Sequence, residues 1–368
     1  MNYKIFQLKD VCTRLSSGKS IKSEKISQNG VYPVFGGNGV RGYTDIYNFD
    51  GECAIIGRQG AFCGNVRYFS GKAYMTEHAV VVCANEMNNT HYLAYLLSMM
   101  NLGRLSGQSA QPGLSVKTLG YQEINLPKLE YQNKVVKIIS SLEEKIDINK
   151  RINDNLEKQV QIIYEMHFKD KINNYTCISD IIDVRDGTHD SPQPQKYGNP
   201  LITSKHLLPF GVDIEKANLI SENDFYNINQ RSKVNTNDIL LSMIGTVGLI
   251  SYVIDNPVTF AIKNVGLFKT SDQPLFVYYI DSYLRNMQTQ QIIYQSLRGS
   301  TQKYISLTEL RNLPIYMPTI EELKNFNNIV HGLYEKIINN TKENIKLKKI
   351  LNNLLPKLIS DNINLSDI

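Results

Sequence analysis

The stretch INLPKLE at residues 124–130 returns as IYMPTIE at 315–321, an offset of 191 that carries Pro127 onto Pro318 and Glu130 onto Glu321. The same offset lays Leu142, Ile146, Asn149, Asn153 and Leu156 on Leu333, Ile337, Asn340, Asn344 and Leu347. Upstream it lays Ser109, Gln111, Ser115 and Leu119 on Ser300, Gln302, Ser306 and Leu310. One offset holding over so long a span marks an internal duplication.

After each proline the apolar residues recur at alternating steps of four and three. The first copy runs Val135, Ile139, Leu142, Ile146, then Leu156, Val160 and Ile163; the second runs Phe326, Val330, Leu333, Ile337, then Leu347, Leu351 and Leu354. That period is a coiled-coil seam. Asparagines fill the two missing steps in each copy, Asn149 with Asn153 and Asn340 with Asn344. A seam asparagine fixes register at some cost in stability. If the helices pair they run antiparallel, because the first leads from residues 1–126 to 172–314 and the second leaves that segment. This predicts a pseudo-two-fold molecule with Asn149 opposite Asn340. The seam spans about 42 Å at the helical rise, roughly 12 base pairs of B-DNA.

The expected architecture is therefore α+β: two similar lobes, 1–126 and 172–314, separated by two long helices in an antiparallel coiled coil, with the helices in 127–171 and 315–368. The first lobe carries short apolar runs, ECAIIG (52–57) and HAVVVCA (78–84), between glycine turns, then a helical stretch near YLAYLLSMM (92–100). The second repeats the order with DILLSMIG (238–245), GLISYVI (248–254) and NVGLFK (264–269), then a helical stretch from Leu275 to about Leu297.

At 368 residues, with 42% hydrophobic and 20% charged residues, the chain has material for more than one core and no disordered composition. Five cysteines without a C-x-x-C pair fit reduced, unmetallated thiols. No apolar run is long enough for a membrane span or a signal peptide, which points to the cytoplasm.

Catalytic signatures are missing. GNGVRG (37–42) has the letters of a dinucleotide fingerprint, but YTDIYNFDG follows where a helix would have to begin. There is no G-x-x-x-x-G-K-[ST] phosphate loop, and Asn199-Pro200 and Asn256-Pro257 are each followed by an aliphatic residue, unlike the Asn/Asp-Pro-Pro-aromatic signature of amino-methyltransferases. The six histidines lack ligand spacing, so no metal site is expected. Asp186-Gly-Thr-His-Asp190 reads as a polar recognition loop, since one loop with two acids and no third partner makes a poor active site.

Net charge is +4 over 1–126, +1 over 127–171, −1 over 172–314 and +1 over 315–368. So mild a balance does not suit a protein gripping DNA through phosphates alone; binding would be site-directed or shared. Polar and cationic side chains suited to base edges sit on the glycine turns. In the first lobe these are Asn38, Arg41, Arg58, Gln59, Arg67, Ser109 and Gln111; in the second, Thr188, His189, Lys205, Lys263, Arg298, Gln302 and Lys303.

These residues resemble the specificity (S) subunits of type I restriction-modification systems over nearly the whole chain. The likeness rests on the duplicated P-x-[LI]-E boundary with E-K-I-x-x-N, on YPVFGGNGVRGY (32–43), and on VRDGTHDSPQPQKYGNPLITSKHL (184–207). GQSAQPGLSVKTL (107–119) and GSTQKYISLTEL (299–310) resemble the segment that closes each target recognition domain. The resemblance implies a non-catalytic subunit that reads a bipartite, asymmetric site in double-stranded DNA. It would dock two adenine methyltransferase subunits and up to two restriction subunits, which would hold S-adenosylmethionine and ATP with magnesium; no cofactor is expected on this chain. Val136, Ile138, Ile148 and Ile152 on the outer helix faces are candidate docking contacts. The competing reading is a coiled-coil adaptor that binds only protein.

Overall fold

The computed structural model describes residues 3–106, 113–169, 171 and 173–360. The described residues form two compact units, one made of residues up to 146 with those from 346 on, the other of 147–345.

The first unit contains β1 (Lys4–Gln7), β2 (Cys12–Ser17), β3 (Tyr32–Gly36), β4 (Gly39–Thr44), β5 (Phe49–Gly57), β6 (Val66–Met75), β7 (Ala79–Ala84), α1 (Thr90–Met99), α2 (Val116–Gly120) and β8 (Glu123–Leu126). Six strands make one sheet in the order β2-β7-β5-β6-β3-β4. Strand β5 is buried on both faces: Ala54 and Ile56 face a core shared with Tyr92, Leu93 and Leu97 of α1, while Cys53 and Ile55 face a second core with Phe35, Met75 and Val81. That explains why ECAIIG reads as an unbroken apolar run. Helix α3 (Leu129–Phe168) adds Tyr131, Val135 and Ile139 to the first core.

The second unit contains β9 (Tyr175–Cys177), β10 (Val184–Asp186), β11 (Asn199–Ile202), β12 (Asn218–Ile220), α4 (Glu222–Ser232), β13 (Ile239–Ser242), β14 (Ile250–Tyr252), β15 (Ala261–Ile262) and β16 (Val265–Phe268). It continues with α5 (Val277–Arg285), α6 (Met287–Gln295), α7 (Leu307–Arg311), β17 (Pro314–Tyr316) and α8 (Ile320–Ile359). Its sheets run β10-β16-β13-β14 and β12-β11-β15. Ile239 and Leu241 of β13 face one core and Leu240 another. Lys269 donates to Asp238 at 2.6 Å with both side chains buried.

The duplication is visible in the bounds of the elements. Helices α3 and α8 begin and end 191 residues apart, as do α2 and α7. In the first unit β1 pairs antiparallel with β8, and Leu8 N–H donates to Gln122 O at 2.9 Å; in the second β9 pairs with β17, and Ile178 N–H donates to Leu313 O at 3.0 Å. Ser115 and Ser306 cap α2 and α7.

Both long helices contribute to each unit. In the first, the Tyr131 hydroxyl donates to Leu358 O at 3.1 Å. In the second, the seam asparagines meet: Asn149 Nδ2 donates to Asn344 Oδ1 at 3.0 Å and Asn340 Nδ2 to Asn153 Oδ1 at 2.9 Å. The helices are antiparallel within each unit, but Asn149 meets Asn344, not Asn340. A helical side chain leans toward its own N-terminus, which in an antiparallel pair points it one turn further along its neighbour. Ile337 is buried in the second unit and Ile146 in the first, while Leu142 and Leu333 are half-buried. Val136 packs against the first unit's core instead of standing clear of it, and Ile138 is half-buried; Ile148 and Ile152 are exposed.

Candidate nucleic-acid interface

In the first unit GNGVRG closes the β3–β4 hairpin, a turn between two strands and not a strand-to-helix junction. Gly39 has φ +103°, and the Arg67 guanidinium lies where a Cβ on Gly39 would stand. A side chain there would be strained and would displace that arginine. The Arg41 stem lies in the same way against Gly36, and Gly37 faces the carbonyls of Gln59 and His78. The hairpin thus brings Asn38, Arg41 and Arg67 beside the turn at Arg58 and Gln59. Asn38, Arg41, Gln59 and Arg67 are exposed; Arg58 is half-buried, its guanidinium 3.5 Å from the Ser17 hydroxyl. Ser109 and Gln111 lie outside the described residues.

In the second unit Asp186, buried at the end of β10, receives the Arg231 guanidinium and His189 Nε2, the latter at 2.9 Å. His189 Nδ1 stands 2.8 Å from Asn264 Oδ1. Backbone bonds tie the loop to β15: Thr188 N–H donates to Ile262 O at 3.0 Å and Asn264 N–H to Thr188 O at 3.1 Å. Lys263 Nζ donates to the Ser191 hydroxyl. Lys263 and Lys205 line one hollow of about 410 Å³ with Thr203 and His206. Burial, with Lys205 nearby, holds the His206 imidazole below its usual range, and its Nδ1 accepts from Thr203 N–H at 3.0 Å. Thr188, His189, Lys205 and Lys263 therefore share one neighbourhood.

Arg298, Gln302 and Lys303 are exposed on a second turn, closed by reciprocal backbone bonds between Arg298 and Tyr304 at 2.9 and 3.0 Å. Arg298 pairs with Glu309 at 2.6 Å. Burial pushes the Glu309 carboxyl up, but Ser306 and Arg298 together hold it below its usual value. The residue that follows this turn is fastened as its counterpart, Leu114, is. Ile305 N–H donates to Met243 O at 3.0 Å, and in the first unit Leu114 N–H donates to Arg58 O at 2.8 Å.

Nothing in the residue order places Arg231, Asn264, Arg185 or Arg311 beside the 186–190 loop. Asp186 and His189 were visible as a pair without a third partner; the structure supplies two, 45 and 75 residues further along. Only the left-handed backbone of Asn264, φ +51°, is a local peculiarity, and it cannot be read from residue order. Among the described residues no helix is long and apolar enough to cross a membrane.

Two lobes of one design, each carrying exposed cationic and amide side chains on tight turns and joined through long helices, define a modular nucleic-acid reader. The family model described as "Type I restriction modification DNA specificity domain" matches residues 1–158 and 173–349, and the chain belongs to that family. It is 26% identical over 401 aligned positions to the type I restriction enzyme MjaIX specificity subunit of Methanocaldococcus jannaschii, covering 96% of this chain and 92% of that protein. It is 39% identical over 134 residues to the EcoprrI specificity subunit of Escherichia coli, a match covering 35% of this chain and 33% of that protein. In fold it is similar to the crystal structure of a type I S subunit from M. genitalium, with a TM-score of 0.62, 16% identity and coverage of 98% and 96% of the two chains.

Proposed function

We propose that this specificity subunit reads a bipartite, asymmetric site in double-stranded DNA, one half with each unit. The observation that carries this is the shared fastening of the reading turns, Arg58 to Leu114 and Met243 to Ile305, beneath exposed side chains that differ between the units. One scaffold with two unlike reading surfaces suits two unlike half-sites. Phosphate contacts position each unit and base-edge contacts select the sequence.

The chain supplies no chemistry itself. It docks two adenine methyltransferase subunits, for which exposed Ile148 and Ile152 are candidate contacts, and restriction subunits join that core in the cytoplasm. S-adenosylmethionine and ATP with magnesium are held by those partners. A methyltransferase must flip its adenine from the stack, so recognition here places the base for another subunit.

Single-molecule sequencing of methylated adenines, in cells expressing this chain with its methyltransferase and in cells lacking only this chain, tests the reading. A split motif with a fixed gap is expected to vanish on deletion. Unchanged methylation would overturn the reading and favour a protein-only adaptor.

A further inference from the structure

Beside the recognition loop of the second unit lies a hollow of about 670 Å³ lined by Arg185, Arg231, Arg311, His189, Asp183 and Asp186, among others. Its three guanidiniums are each held in one orientation. Arg185 Nε donates to Asp183 at 2.6 Å and its Nη1 to Arg231 O at 2.8 Å; Arg231 is anchored on Asp186; Arg311 Nε donates to Val184 O at 2.9 Å. Two aspartates offset two of the arginines. The remaining cation is Arg311, which is exposed and, among the described residues, engaged only through Nε to a neutral carbonyl. One excess positive charge, with terminal guanidinium nitrogens left to donate, matches the single charge and paired oxygens of a phosphodiester. Held side chains lose little rotamer freedom on binding.

We propose that this hollow clamps one DNA backbone phosphate, with Arg311 providing the charge, and so sets the register in which Thr188, His189 and Lys263 meet base edges. The inference rests on the DNA-reading role proposed above. It belongs to the second unit alone, because the residue 191 positions before Arg311 is Gly120.

The test uses the complex of this chain with its methyltransferase, on a duplex carrying the methylated motif and on one with that motif scrambled. Across a salt series, Arg311→Gln is expected to reduce the slope of log affinity against log salt by about 0.9, one phosphate's share, and to weaken both duplexes by the same factor. Arg311→Lys, which also lacks the Nε bond to Val184 but keeps the charge, is expected to restore the slope, which a merely structural role would not do. Of the positions where a singly placed methylphosphonate weakens the wild type, one, within one half-site, should have no further effect on Arg311→Gln. An unchanged slope in Arg311→Gln, or a loss confined to the matched duplex, overturns the clamp while leaving the DNA-reading role intact. A wild-type complex that does not distinguish the two duplexes overturns both.

Discussion

The Nδ2 of Asn340 donates to the Oδ1 of Asn153 at 2.9 Å inside the helix pair of the second unit, and both side chains are buried. Asn153 passes its own amide hydrogens to Ile337 O at 3.3 Å and the Thr341 hydroxyl at 3.2 Å. Removing one partner strands the other in an apolar seam, so Asn153→Ala is expected to cost about 1–3 kcal/mol. The double variant with Asn340→Ala should cost less than the two single changes summed, by about 0.5–3 kcal/mol. Urea unfolding of the four proteins of this cycle measures both quantities; full additivity would contradict the pairing.

The helices were legible because a seam is a local property: residues three and four apart share a face wherever the helix lies. The lobes were legible as α+β because β5 and β7, buried on both faces, leave unbroken apolar runs in ECAIIG and HAVVVCA. The strand order β2-β7-β5-β6-β3-β4 was not, since it depends on pairings such as Ser17 with Val80 that no local pattern encodes. Nor was the register of the asparagines, which follows from the tilt of side chains and not from their spacing. The candidate interface was half legible for the same reason. Thr188, His189 and Lys263 stand on turns that residue type reveals, while Arg231 and Arg311 reach the same loop from the ends of α4 and α7.

The buried pair of Asp238 and Lys269 makes a second prediction. Asp238 accepts from Lys269 Nζ at 2.6 Å, from Asn235 N–H at 2.7 Å and from Ser271 N–H at 3.0 Å. Asp238→Asn leaves a buried ammonium without its counter-charge and is expected to destabilise the second unit by about 3–5 kcal/mol. Asp238→Asn with Lys269→Met, which removes both charges, should recover part of that loss. Thermal denaturation of the single and double variants checks the order.

Acid should loosen the start of α8. The Lys171 ammonium, 2.6 Å from Glu322, holds that carboxyl at about 2, helped by the Thr319 N–H at 2.8 Å and the Tyr316 hydroxyl at 3.1 Å. A carboxyl whose folded pKa lies below its unfolded value of about 4.5 contributes stability that is fully present above pH 4.5 and is lost as pH falls toward 2. Glu322→Gln is expected to flatten that part of the stability-versus-pH curve while leaving its shape above pH 5 unchanged. Because the pair is still partly open to solvent, the effect is small and salt weakens it. Denaturant midpoints from pH 2 to pH 7 at two salt concentrations measure it, and equal acid slopes in the two proteins would refute it.

His189 is aimed by its neighbours, with Asp186 on one ring nitrogen and Asn264 on the other. With both nitrogens engaged the ring meets a base through its face or C–H edge, so His189→Ala should relax the preference at one position of the site and cost about 1–3 kcal/mol on the matched duplex, with little change on scrambled DNA. Asn264→Ala removes one of the groups that orient the ring without removing the ring, so it should weaken the preference at the same position by a smaller factor. The double variant should then be no worse than His189→Ala alone, because Asn264 would act only through the imidazole. Binding selection from a randomised duplex pool, sequenced for each variant, reads position and magnitude together. A preference that shifts at different positions in the two single variants would show that Asn264 meets the DNA on its own account.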